Sequence, residues 1–207
     1  VLIVMRIGWE EVKTERLPFH FMRNLFHFCG QFGWFLGISL LPLATVFALE
    51  FTIPVWAALL AVLFLGERIH HGRVLAIICG LTGVIIILKP GANMIDPAAL
   101  IVVGAAFCYA ISYITTKSMA KTERPLAILF YMNLIQLPIG LVPAAFSWVI
   151  PTLGDAPWIL LVGVTGLSSH YCLTRAFQVS DALTVIPIDF LRLPLVAIIG
   201  YIFYSET

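Results

Sequence analysis

The 207 residues are 61% apolar and only 11% charged, with a formal net charge of +1. A soluble domain carries about 25% charged residues, and no soluble fold of this size hides so much apolar surface. The composition therefore excludes a water-soluble globule and makes lipid the fitting solvent, and the near-neutral balance gives no basis for nucleic-acid binding.

The chain opens inside an apolar run, Val1 to Met5, without an initial Met, and stops at Thr207 directly after another run, so it reads as a fragment. A helix needs about 20 apolar residues to cross the hydrocarbon core. That window places seven spans at 18–40, 43–65, 73–89, 97–117, 126–148, 157–177 and 182–204, with Val1 to Gly8 as the tail of an earlier one. The first span carries Arg23, His27 and Gln31 four apart, with His20 and Asn24 alongside, which makes one polar stripe on an apolar helix. His27 and Gln31 lie deep enough to line a cavity, whereas Arg23 reads as an anchor that snorkels to the interface. Gly30, Gly33 and Gly37 admit a close helix neighbour. The second span contains Glu50 and Pro54, and closes in Glu67, which is expected to cap the helix that follows.

The fourth span repeats Tyr109, Ser112, Tyr113 and Thr116 at helical spacing, and the fifth repeats Asn133 and Gln136. Aromatic hydroxyls suit an organic solute with flat apolar parts, although packing contacts are the more common explanation of such residues. His170 lies near the middle of the sixth span. The seventh holds Asp189 and Arg192, three apart and so able to pair, together with Pro187 and Pro194. Intramembrane prolines, with Pro54 and Pro194 foremost, weaken a helix and mark hinges. Cys29, Cys79, Cys108 and Cys172 lie in apolar runs with no CxxC pair, so they read as buried thiols. No metal and no cofactor is expected.

Short links force neighbouring spans to run antiparallel, so loops alternate sides. One side holds Arg6, Lys13, Arg16, Arg68, Arg73, Lys117, Lys121, Arg124 and Arg175, with Arg23 close by; the other holds Lys89 alone. The basic side is cytoplasmic by the positive-inside rule, and Trp148 and Trp158 flank an outer loop as an aromatic belt.

Sliding the chain on itself by 139 residues matches LPLATVFALEFTIPVWAALLAVLFLGE, ending at Glu67, with SDALTVIPIDFLRLPLVAIIGYIFYSE, ending at Glu206. Thr45 falls on Thr184, Glu50 on Asp189, Phe51 on Phe190, Gln31 on His170 and Glu67 on Glu206. The shift carries the second span onto the seventh. A step of five helices reverses direction in the membrane, which is an inverted-topology repeat.

The LFLGE closure, the basic loop after it, the run ICGLTGVIIILKPG and the repeated AFQVSDALTVIPIDFLRLPLVAIIGYIFYSE resemble the EamA-type permeases of the drug/metabolite transporter superfamily. The resemblance implies an all-α polytopic membrane protein with a ten-helix inverted-repeat (5+5) fold. It implies a first repeat over 1–89, lacking its first helix and most of its second, and a second over 97–207, lacking its last. It further implies a multi-pass permease or exporter of the bacterial inner membrane that moves small organic metabolites.

Charges inside spans are costly and usually face a cavity. Glu50, Asp189 and Arg192 are therefore expected at a substrate site near the midplane. Arg192 would hold an anionic group such as a carboxylate, and Glu50 or Asp189 a cationic group or a proton. His27, Gln31, Tyr109, Tyr113, Gln136 and His170 are the further candidate lining residues. The reading is a secondary carrier working by alternating access, with amino-acid-like or other carboxylate-bearing solutes as expected cargo and homodimerisation left open. The alternatives are an intramembrane enzyme and a non-transporting sensor or scaffold. HExxH, GxSxG and GxxxxGK[ST] are all missing, and an inert scaffold has little reason to bear deep charges.

Overall fold

The computed structural model describes residues 8–88, 97–146 and 148–192, and beyond these 194, 195, 198 and 202. The tail before Gly8, Lys89 with the link after it, Glu206 and most of the seventh expected span past Arg192 lie outside the described residues. The described structure is helical, without a strand. Helix α1 runs Leu17–Leu40, α2 Leu43–Glu50 and α3 Ile53–Leu60, with a π-turn at Ala61–Leu65. Then come α4 at His71–Leu88, α5 at Pro97–Ala120, α6 at Pro125–Ala144, α7 at Ala156–Val179, α8 at Ala182–Val185 and a 3₁₀ segment at Ile186–Leu191.

Prolines set several of these starts. Pro18, Pro54, Pro125 and Pro157 each sit in the first two positions of a helix, where a missing N–H costs nothing. Pro54 has a second effect, because it has no N–H to donate to the Glu50 carbonyl. The expected 43–65 span accordingly divides at Phe51 and Thr52, where the Thr52 hydroxyl donates to the Leu49 carbonyl at 2.7 Å. Gly66, at φ 65°, ends the π-turn in the left-handed conformation that glycine adopts without penalty. Pro138 and Pro143 lie inside α6 without ending it.

Four stretches are long and apolar enough to cross a membrane: Thr45–Leu65 with 21 residues, Pro97–Ala120 with 24, Pro125–Ala144 with 20 and Ala156–Val179 with 24. Helix α1 also has 24 residues, but His20, Arg23, Asn24, His27 and Gln31 dilute its apolar character. The seventh expected span begins as a short α8 and a tight 3₁₀ turn around Pro187.

Helix α1 packs most extensively on α5. A Cβ on Gly37 would come within 2.4 Å of Val102, and one on Gly30 within 3.1 Å of Tyr109, so the glycines set this approach. Against this pair lies a core of small residues, Ala57, Ala61, Ala106 and Ala110, closed by Phe177, Leu183 and Ile186. The arrangement is inside-out by the standard of a soluble protein. His20, Arg23, Asn24, His27 and Glu50 are buried, while Leu63, Phe64, Trp148, Trp158, Leu160 and Val162 are exposed. Such a surface suits hydrocarbon rather than water. The cysteines depart from expectation for the same reason: Cys29, Cys79 and Cys172 are exposed and Cys108 is half-buried. In a membrane chain, an apolar neighbourhood in sequence does not mean burial within protein.

Candidate functional site

Three of the expected charges meet at one point. Arg192 Nη2 donates to Glu50 Oε1 at 2.7 Å and to Asp189 Oδ2 at 3.3 Å. The other Glu50 oxygen accepts the Trp34 indole N–H at 2.8 Å. The guanidinium lies 5.4 Å from the centre of the Phe51 ring and 5.7 Å from that of Phe47. Phe51 stacks on Phe190 at 5.5 Å. Two carboxylates thus share one guanidinium inside an aromatic enclosure, which leaves one formal negative charge over. Arg192 Nε is buried without an acceptor among the described residues. Asp189, Arg192 and Tyr113 line a cavity of about 440 Å³ between α5, α7 and the 3₁₀ segment.

A second polar group lies between α1, α5, α6 and α7. Arg23 donates from Nε to the Thr116 hydroxyl at 3.2 Å and from Nη1 to Asn24 Oδ1 at 2.7 Å, and its Nη2 lies 3.4 Å from His170 Nδ1. Gln136 Nε2 reaches Asn24 Oδ1 at 3.1 Å and His27 Nδ1 at 3.0 Å. The His27 ring meets His170 at 4.8 Å and Tyr109 at 5.5 Å. Tyr109 in turn stands 6.4 Å from Tyr113, so α5 carries an aromatic bridge from this group to the Arg192 cavity.

The snorkelling role expected of Arg23 is overturned: the residue is 2% exposed. Its stripe continues as Arg23, His27, Gly30, Trp34 and Gly37, three and four apart. The glycines that seat α5 lie on the same face, so Arg23 points at protein rather than lipid. That spacing would also have found Trp34. Gln31 lines a different cavity of about 430 Å³, shared with Phe28 and with Gln136 of the second group. Asn133 is exposed and bonds the Leu129 carbonyl of its own helix. Pro54 starts α3, as described, and Pro194 is exposed.

At the basic end, Glu67 corrects a second expectation. It caps not the following helix but α8, accepting the Ala182 and Leu183 N–H groups at 2.9 and 3.0 Å. Lys117 donates to the Phe177 carbonyl at 2.8 Å and to that of Ser180. The α7–α8 turn is thus held by an anion at the N-terminus it opens and a cation at the C-terminus it closes. No group of His, Cys, Asp and Glu suited to a metal is found among the described residues.

Comparison with known proteins gives this geometry a family. The chain is 32% identical over 203 residues to an S-adenosylmethionine uptake transporter of Rickettsia bellii, covering 98% of this chain and 70% of that protein. It is 34% identical over 201 residues to a riboflavin transporter of Rhizobium johnstonii, covering 97% and 67%. A solved crystal structure superposes with a TM-score of 0.77 over 100% of this chain and 74% of that one; at 15% identity the likeness is one of fold alone. The EamA-like transporter family matches residues 1–89 and again 96–207. Charges clustered inside an apolar helical bundle are therefore the interior of a membrane transporter rather than of an enzyme, and the chain belongs to the EamA-like transporter family.

Proposed function

We propose that the chain forms the greater part of a secondary carrier that moves small organic metabolites by alternating access across a bacterial inner membrane. The solute sits near the midplane, against Arg192, Asp189 and Glu50, with Tyr109, Tyr113, His27, Gln136 and His170 lining its path. The observation that carries this reading is the meeting of repeat-matched residues. Glu50 and Asp189, related by the 139-residue shift, share one guanidinium, and Phe51 and Phe190, related by the same shift, stack on each other. Residues beside a two-fold axis meet their own mates, so these pairs support an axis running between two inverted halves, in a fold of ten helices. The two separate family matches, 1–89 and 96–207, support the same division, and carriers of this construction bind solute where the halves meet.

The relatives' named cargoes, S-adenosylmethionine and riboflavin, both join a flat heteroaromatic group to a polar chain. An aromatic enclosure around charged side chains suits solutes of that kind. The test is Arg192→Ala in the full-length transporter, reconstituted in proteoliposomes and assayed with labelled S-adenosylmethionine, riboflavin and amino acids. Removing Arg192 leaves the buried Glu50 carboxylate without its cationic partner. Initial uptake is therefore expected to fall at least tenfold while insertion is retained. Unchanged uptake would remove Arg192 from the site.

A further inference from the structure

Arg23 lies almost wholly within protein, yet no carboxylate stands within ion-pair distance of it among the described residues. Its partners are Thr116, Asn24 and His170, all formally neutral. A guanidinium only donates, and that direction propagates. The Asn24 atom facing Arg23 must be oxygen, and Asn24 Nδ2 accordingly donates to the His20 and Tyr131 carbonyls. The Gln136 atom facing the same oxygen must be nitrogen, so it donates onward to His27 Nδ1. His170 Nδ1 likewise accepts from Arg23. Both imidazoles are thereby left with their proton on Nε2. The network presents N–H groups, two on imidazoles and two remaining on the guanidinium, and none of these has an acceptor among the described residues. It is a donor array with one positive charge and, among the described residues, no carboxylate paired with it.

The Glu50–Asp189–Arg192 group has the opposite imbalance, two acids against one base. Tyr109 and Tyr113 stand between the two: the Tyr109 ring meets His27 at 5.5 Å and Tyr113 at 6.4 Å, and Tyr113 lines the Arg192 cavity. Because Arg192 is already divided between two carboxylates, it is poorly placed to bind a further anion. We infer that Arg23, His27 and His170 form an anion-binding pole opposite the acidic pole. The carried solute is then dipolar, with a carboxylate at the Arg23 end and a cationic centre at the Glu50–Asp189 end. This rests on the carrier reading above and names the solute class of that site.

The full-length transporter in proteoliposomes tests it with two probes, S-adenosylmethionine and its decarboxylated analogue, which differ by the carboxylate alone. The wild-type carrier is expected to show a KM for S-adenosylmethionine about tenfold below that for the analogue, the scale of one charge-assisted contact. Arg23→Gln raises the first KM to the level of the second and leaves the second within about twofold. Arg23→Lys, which keeps the charge, retains most of the preference. His27→Phe removes one donor without touching the charge, and narrows the same gap by a smaller factor even where Arg23→Gln fails to insert. Equal loss on both probes would make Arg23 a packing residue and overturn the pole. A wild-type carrier that moves riboflavin but neither probe would overturn the dipolar solute and leave the carrier standing. One that moves none of the three and no amino acid either would remove the carrier reading itself.

Discussion

Trp34 shows what a single side chain contributes at this site. Its indole N–H is the one neutral donor that Glu50 receives among the described residues, at 2.8 Å, and Glu50 is only 7% exposed. Trp34→Phe keeps the ring and removes the donor, and an acceptor left unsatisfied in the interior costs about 1–3 kcal/mol. The thermal midpoint in detergent is expected to fall accordingly. In a Glu50→Gln background the same change should matter less, because the charged acceptor is gone and the two effects are coupled. Additive losses would show that the indole and the carboxylate act independently. The acids at Glu50 and Asp189 and the base at Arg192 were legible because charge inside an apolar run is rare and demands a partner. Arg23 was misread because the snorkelling argument assumes a lipid-facing side chain, whereas the glycines sharing its stripe turn that face toward α5. Hydrogen-bond direction, on which the donor array depends, exists only once Asn24, Gln136 and two histidines from three helices are side by side.

Helix lengths and starts followed from apolar runs and proline placement, and α1, α5, α6 and α7 lie within a few residues of where composition puts them. The division between α2 and α3 at Phe51 and Thr52 likewise follows from a proline, because Pro54 has no N–H to donate to the Glu50 carbonyl. One feature at this scale was out of reach of local pattern. The cap on α8 comes from Glu67, which lies 115 residues away in the chain. Capping arguments from sequence look only to the adjacent helix, so Glu67 was assigned to the wrong one. Its two oxygens satisfy two N–H groups that α8 cannot satisfy itself. Glu67→Ala should therefore destabilise the protein by about 0.5–2 kcal/mol. Glu67→Gln, which retains one acceptor, should fall between. Midpoints in detergent that do not distinguish Ala from wild type would show that the contact contributes nothing to α8.

For the whole molecule the broadest sequence signal is the sidedness of the basic residues, because charge bias follows the number of crossings and not the packing of any one helix. Packing decides what that signal cannot: which faces meet lipid, and that α1 and α5 form the central contact. The crossing count itself yields a labelling prediction. A single cysteine is placed in the full-length protein after its native cysteines are replaced by serine, and is probed with a membrane-impermeant maleimide from each side. Between Lys121 and Gly154 lies α6 alone, so Lys121→Cys and Gly154→Cys are expected to label from opposite faces. Between His70 and Lys121 lie α4 and α5, so His70→Cys should label from the same face as Lys121→Cys. With 18 residues, α4 is the shortest helix asked to cross, and the second comparison tests it. Should His70→Cys and Lys121→Cys label from opposite faces, α4 does not span. The second span and the seventh would then no longer run in opposite directions, and the meeting of Glu50 and Asp189 at one guanidinium would need an explanation other than the axis of an inverted repeat.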